Sequence, residues 1–175
     1  GLKGRVWVKG AIHKAARLAA SPDGKTLYFS DVRVKSFGGD NGSSPVLYSR
    51  SLDGEKAAEV FACERGKTGS DNAHFGDTRG IDCDPEGRVY VADSVNNRIQ
   101  VFSPEKKYLK TIQVDRPNLI CIHKKTGAIY VLHMARVEGR NVSRVTKLVS
   151  FADPKEEFHV DGIDGIMALD SWSAK

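Results

Sequence analysis

Three stretches of this chain repeat one pattern: "LAASPDGKTLYFSD" from Leu18, "IDCDPEGRVYVAD" from Ile81 and "CIHKKTGAIYVLH" from Cys121. Each has a short apolar strand, a turn ending in glycine, and a second strand that carries a tyrosine between aliphatic or aromatic neighbours. Gly87 and Gly127 are 40 residues apart, as are Tyr90 and Tyr130. Gly24 and Gly87 are 63 apart, one such period plus an insertion of about twenty residues. A repeat of this length is one supersecondary unit, and such a unit buries its apolar face only against its neighbours.

The turns have a mechanism. Pro22 and Pro85 preset φ, Asp23 and Glu86 are polar, and Gly24, Gly87 and Gly127 permit positive φ, which joins two antiparallel strands tightly. After each tyrosine strand come a polar loop and a third strand ("PVLYSRSL", "NRIQVF", "SRVTKLVSF"). A further turn and a fourth strand follow ("KAAEVF", "YLKTIQV", "EFHV"). Four antiparallel strands every forty or so residues make a β-propeller blade. The chain therefore reads as all-β: about three complete blades at 17–61, 79–114 and 118–160, with partial strands at 1–10 ("GRVWVKG") and 165–175 ("GIMALDSW"). Val89, Val91, Ile99, Val101, Ile129, Val131 and Leu148 are the expected core, and the tyrosines are expected to pack between blades.

Composition narrows the function. With 40% apolar and 28% charged residues the chain is globular, and its apolar runs are too short to span a bilayer as a helix. The net charge of +5 is scattered, with small basic clusters such as Lys106-Lys107 and Lys124-Lys125, and no aromatic platform accompanies it. Nucleic acid is therefore disfavoured as a partner. The three cysteines (Cys63, Cys83, Cys121) form no CxxC pair and read as buried free thiols, with one disulfide as the alternative.

"RGIDCDPEGRVYVADSVNNRIQVFSPEKKYLKTI" resembles an NHL repeat, the blade unit of a family of β-propellers that are often six-bladed. The resemblance is fullest over residues 79–114 and less complete over 17–61 and 118–160. The third blade has His133 where Asp31 and Asp93 stand, and it lacks an "NNRI". "SPDGKTLYFSD" is similar to gluconolactonase- and strictosidine-synthase-like propellers. The resemblance implies a secreted or periplasmic setting. A six-bladed ring needs roughly 240 residues, so three blades are expected to be part of a larger ring, completed by further sequence or another chain. A compact four-bladed ring is the alternative. In "DSVNNRI", Asp93 is expected to accept backbone N–H groups, the asparagines to adopt left-handed geometry, and Arg98 to meet a carboxylate or carbonyl.

Function in a propeller is expected in the loops that lead into each innermost strand. These carry His13, Lys14 and Arg17 before blade one, Asp77 and Arg79 before blade two, and Asp115, Arg116 and Asn118 before blade three. Asp161 and Asp164 precede the last partial strand. Converging near the axis, Asp77, Arg79, Asp115, Arg116, Asn118, Asp161 and Asp164 would form a polar pocket for a small ligand or a divalent cation. The competing reading is that they neutralise one another and cap turns. No catalytic residue is identified: there is no nucleophile elbow, and His13, His74, His123, His133 and His159 lack zinc-site spacing. The polar loops 32–44 and 63–78 are further recognition candidates, and Asn41 and Asn141 head glycosylation sequons. The leading expectation is a binding or scaffold module for a protein or small ligand. The alternative is a metal-assisted lactonase- or lyase-like enzyme whose axial carboxylates hold the cation.

Overall fold

A computed structural model describes residues 17–31, 45–53, 57–64, 67–165 and 167–170. His13, Lys14, the strand expected at 1–10, the insertion 32–44 with the Asn41 sequon, and residues 171–175 lie outside these. The described residues form three four-stranded antiparallel sheets. Blade one comprises β1 (Leu18–Ala20), β2 (Thr26–Asp31), β3 (Val46–Ser51) and β4 (Glu59–Ala62). Blade two comprises β5 (Thr78–Cys83), β6 (Val89–Asp93), β7 (Arg98–Phe102) and β8 (Tyr108–Gln113). Blade three comprises β9 (Pro117–Ile122), β10 (Ile129–Val137), β11 (Arg140–Leu148) and β12 (Glu156–Asp161). In each sheet the strands neighbour one another in chain order, so every connection is a hairpin. The all-β expectation of propeller blades holds. Residues 167–170, within the last partial strand, are irregular, and Met167 places its carbonyl 3.9 Å from the Cys121 thiol.

Strand alternation sends successive side chains to opposite sides of a blade, and both sides of blade two are buried. Val89 and Val91 join Ala19, Tyr28, Leu47 and Phe61 of blade one in one core cluster. Tyr90, Ala92, Ile99 and Val101 join Ile120, Ile122, Ile129 and Val131 of blade three in the other. All seven core residues expected from the sequence are buried. Cys83 is a buried free thiol that burial pushes up to about 12, and Cys63 and Cys121 are half-buried and also free.

One turn position shows how the repeat tolerates different residues. Gly24, Gly87 and Gly127 all have positive φ (69°, 80° and 72°), as their place in the turn requires. The residue that opens this turn differs in every blade. Ser21 Oγ accepts from Thr26 N (2.9 Å), Asp84 Oδ1 from Glu86 N (3.1 Å) and Arg88 N (3.0 Å), and His123 Nδ1 from Thr126 N (3.1 Å). A hydroxyl, a carboxylate and an imidazole do the same capping work. Asp84 also accepts from the Tyr90 hydroxyl (2.8 Å) and from the Arg88 guanidinium. Phe151 reaches from blade three onto this group, with Arg88 4.1 Å and Lys110 4.6 Å from its ring centre.

One element departs from the expectation. The sequence reads residues 134–142 as a polar loop, whereas β10 and β11 run on through it and pair as far as Val137 and Arg140. Glu138 and Gly139 then close a two-residue turn, both at positive φ (47° and 77°). A two-residue turn of this hand matches strand twist, so the ladder continues to its tip.

Tyr90 and Tyr130 occupy one repeat position, but only Tyr90 is fully buried (1% exposed) and bonded to a carboxylate. Tyr90→Phe is expected to lower stability by about 1.5–3 kcal/mol, the range for a bond to a charged group. Tyr130→Phe is expected to leave the urea midpoint unchanged, and equilibrium denaturation of the two variants checks the difference.

Candidate functional site

The loops that lead into the inner strands β5 and β9 are each held by a residue of the following strand, at one place in the repeat. In blade two this is Asp93, which is fully buried. Its Oδ1 accepts from the backbone N–H of Gly76 (2.8 Å) and Asp77 (3.2 Å), and its Oδ2 from Asn96 Nδ2 (2.7 Å) and Arg98 Nε (2.9 Å). Four donors satisfy the carboxylate, which offsets the cost of taking it out of water. Arg98 turns its other guanidinium nitrogens to the carbonyls of Ser70 (2.6 Å), Asp71 (2.8 Å) and His74 (2.8 Å). One buried ion pair thus fixes both the approach to blade two and the connection before it. Asn97 adopts positive φ (53°). The roles expected for Asp93, Asn97 and Arg98 are the observed ones, whereas Asn96 does not take left-handed geometry and instead donates its side-chain amide to Asp93 and the Gly69 carbonyl.

His133 holds the same place in blade three with the opposite polarity. Its Nδ1 lies 3.1 Å from the carbonyl of Asp115 and its Nε2 2.9 Å from Thr146 Oγ1. A carbonyl only accepts, so the proton sits on Nδ1 and the threonine hydroxyl donates to Nε2. Asp93 grips its loop through two N–H groups, and His133 grips its loop through one C=O.

The inner strands approach each other closely. A Cβ on Gly80 would lie 2.8 Å from the Asn118 carbonyl oxygen. Asp82 Oδ2 accepts from Ile122 N (2.6 Å), and Lys124 Nζ donates to Asp82 Oδ1 (2.9 Å). Both inner strands carry an extra residue just inside their start. Arg79 and Gly80 together face Ala92, and Asn118 is left out of the pairing between Leu119–Leu132 and Pro117–His133. Such bulges re-aim side chains. Here they fall at Arg79 and Asn118, whose strands touch.

The expected site residues fall into two groups. Asp77, Arg79, Asp115, Arg116 and Asn118 stand at the adjoining starts of β5 and β9. Arg79 Nε donates to Asp77 Oδ2 (2.6 Å), and the Arg116 guanidinium donates to Asn141 Oδ1. Asp115 receives Arg136 N on its carboxylate (3.4 Å), and Arg116 N donates to Asn97 Oδ1 (3.0 Å). Asn118 Oδ1 is buried and has no hydrogen-bond partner. Asp161 stands instead at the end of β12, the strand farthest from β9 in its sheet. There it accepts from Arg144 Nε (2.6 Å) and Nη2 (3.0 Å), and this pairing holds its carboxyl below the usual range. Asp164 is exposed three residues further on.

Below the bulges, Arg17, Leu18, Gly80, Ile81, Leu119 and Ile120 line a cleft of about 260 Å³ between β1, β5 and β9. Its apolar members give no sign of a site in the sequence, because nothing in residue type separates a strand facing the axis from one facing a neighbouring blade. Thr78, whose buried hydroxyl also lacks a partner, left no signal for the same reason. Among the described residues no three His, Cys, Asp or Glu side chains are grouped as a metal site would need, and no helix is long and apolar enough to cross a membrane.

Residues 77–102 match the NHL repeat family. No curated protein of matching sequence was found. Among solved structures, the chain is similar to hydrazine synthase of Kuenenia stuttgartiensis (TM-score 0.56, 17% identity, 90% of this chain and 40% of that one). It is also similar to the nidogen/laminin complex (0.57, 15%, 82% and 45%). A third similar structure is the calcium-binding protein regucalcin of Agrobacterium tumefaciens (0.51, 22%, 70% and 38%). At these identities the likeness is one of fold, and the chain spans less than half the length of each.

Burial holds the His133 imidazole below its ordinary value of 6.5. As pH falls through about 6.5, the unfolded chain takes up this proton first. The His133 contribution is therefore complete above that pH and is lost progressively below it. His133→Gln is expected to flatten this part of the stability–pH curve, as measured by urea midpoints between pH 7.5 and 5.

Proposed function

From a chain that carries an NHL repeat in propeller-type blades, we propose a binding or scaffold module that holds a protein or small ligand through the loops leading into β5 and β9. The observation that carries this reading is the rigid, bulged meeting of those two strands. There the part-exposed Arg79 guanidinium and the buried, unsatisfied Asn118 oxygen belong to residues that adjoin Gly80 and Leu119 of the cleft lining. A surface already fixed by Asp93 and His133 loses little entropy on binding, which favours affinity. A neighbour solved as a nidogen/laminin complex agrees with a protein partner.

The second reading is a metal-assisted enzyme of the lactonase, lyase or strictosidine-synthase-like kind, and the calcium-binding neighbour favours it. Two of its four candidate cation ligands weigh against it. The Asp77 and Asp161 carboxylates already have guanidinium partners, and a cation would have to displace both.

One pair of measurements separates the readings. The module is expected to retain a stoichiometric protein from its source extract, to lose it in the Arg79→Glu/Asn118→Ala variant, and to keep its melting temperature with calcium, magnesium, manganese or zinc. A melting temperature raised by one of these ions, and no longer raised in Asp77→Ala, would establish the metal reading instead.

A further inference from the structure

Blade three closes its loop face with a group that blades one and two do not carry there. The repeat place of Asp31 and Asp93 belongs to His133, which is buried at 7% exposure. Alternation along β10 puts His133 on the side of Ile129 and Val131, which pack against Tyr90 and Ile99 of blade two. It therefore sits inside the junction of two blades. Imidazole is the side chain whose ordinary charge change falls between about pH 5 and 8.

The segment that His133 holds is strained. Arg116 sits at positive φ (36°), a conformation a bulky residue keeps only where its surroundings impose it. Asp115, the residue before it, places its carbonyl 3.1 Å from His133 Nδ1. The hairpin adds two long bonds, Met134 N to the Arg116 carbonyl and Arg136 N to the Asp115 carboxylate, each 3.4 Å. From blade two, Asn97 Oδ1 accepts from Arg116 N (3.0 Å). Asp93 grips its own loop through two amides, and Arg98 adds three carbonyls of the connection before it. In blade three one imidazole bond stands beside the strained residue instead.

Protonation disfavours the closed arrangement. Neutral His133 donates from Nδ1 and accepts at Nε2 from the Thr146 hydroxyl (2.9 Å). A proton on Nε2 forces that hydroxyl to turn and leaves a cation out of water. Among the described residues, the charged groups that face it are Arg144, opposite it in the β10–β11 pair, Asp115, and Glu156 and Asp161 on β12. Arg144 repels an imidazolium, and Asp161 already gives both carboxylate oxygens to Arg144. Asp115 and Glu156 attract it, but burial outweighs them and keeps the imidazole below its ordinary value. The closed state prefers the neutral ring, so opening is linked to proton uptake as pH falls.

We propose that His133 is an acid-released latch for the β9 half of the loop face. On taking up a proton it swings to solvent, the strain at Arg116 relaxes, and Asp115, Arg116 and Asn118 lose their fixed placement. Asp77 and Arg79, held through Asp93, keep theirs. The consequence for binding rests on the reading of this face as a recognition surface: acid switches off its β9 half and spares its β5 half. The latch itself requires no partner.

Amide hydrogen exchange at pH 7.5 and 5.5, expressed as protection against the intrinsic rate at each pH, tests the latch on the chain alone. Below about pH 6.5 the opening equilibrium rises by at most about tenfold per unit. The Arg116 and Met134 amides are therefore expected to lose up to about tenfold in protection at pH 5.5. The Gly76 and Asp77 amides, bonded to Asp93, and the Ile122 amide, bonded to Asp82, are expected to keep theirs. In His133→Asn the side-chain amide nitrogen replaces Nδ1 without a titrating group, and no amide of this set is expected to change between the two pH values. Unchanged protection of Arg116 and Met134 in the wild-type chain would overturn the proposal, as would a loss that persists in His133→Asn. A loss shared by Ile122 would also overturn it, because blade three would then be unfolding rather than unlatching.

Discussion

The buried carboxylate of Asp93 is the constraint on which the loop face of blade two depends. A charge with no exposure persists only if its acceptor sites are filled, and each donor that fills them belongs to a segment that would otherwise wander. The backbone of Gly76 and Asp77, the Asn96 amide and the Arg98 guanidinium all converge on it. Arg98 extends the constraint to three carbonyls of the preceding connection. A buried ion pair is weak evidence of net stability, but removing one partner is costly. What the pair secures here is the placement of Asp77 and Arg79.

Blade three reaches the same placement by different chemistry. His133 binds a carbonyl where Asp93 binds amides, and its second nitrogen is satisfied by Thr146. Ser21, Asp84 and His123 show the same latitude at the opposite turn. A backbone turn offers both donors and acceptors, so several side chains can cap it. The fold is preserved while the letters change.

This explains what the sequence makes legible. Tyrosine spacing, turn glycines and alternating aliphatic residues are dictated by packing between blades, and they mark the architecture and all seven core positions. The "DSVNNRI" knot is legible because its residue types match their local bonds. The long β10–β11 hairpin is not, because "RVEGRN" carries charge on exposed strands and closes on Glu-Gly rather than a common hairpin pair. The bulges at Arg79 and Asn118 depend on pairing register, which no single strand reveals. For the site, the clustering of Asp77, Arg79, Asp115, Arg116 and Asn118 follows from the repeat, since all lead into inner strands. Asp161 belongs to an outermost strand and pairs locally with Arg144, a partner its place in the sequence does not suggest.

The most direct test of this account is residue-resolved amide hydrogen exchange on the Asp93→Ala chain under native conditions. If the carboxylate organises the loop face, the Gly76 and Asp77 amides lose their protection in the variant, while Ile122 N, held by Asp82, keeps its own. Unchanged protection at Gly76 and Asp77 would contradict the account, because the approach to blade two would then be fixed by something other than Asp93.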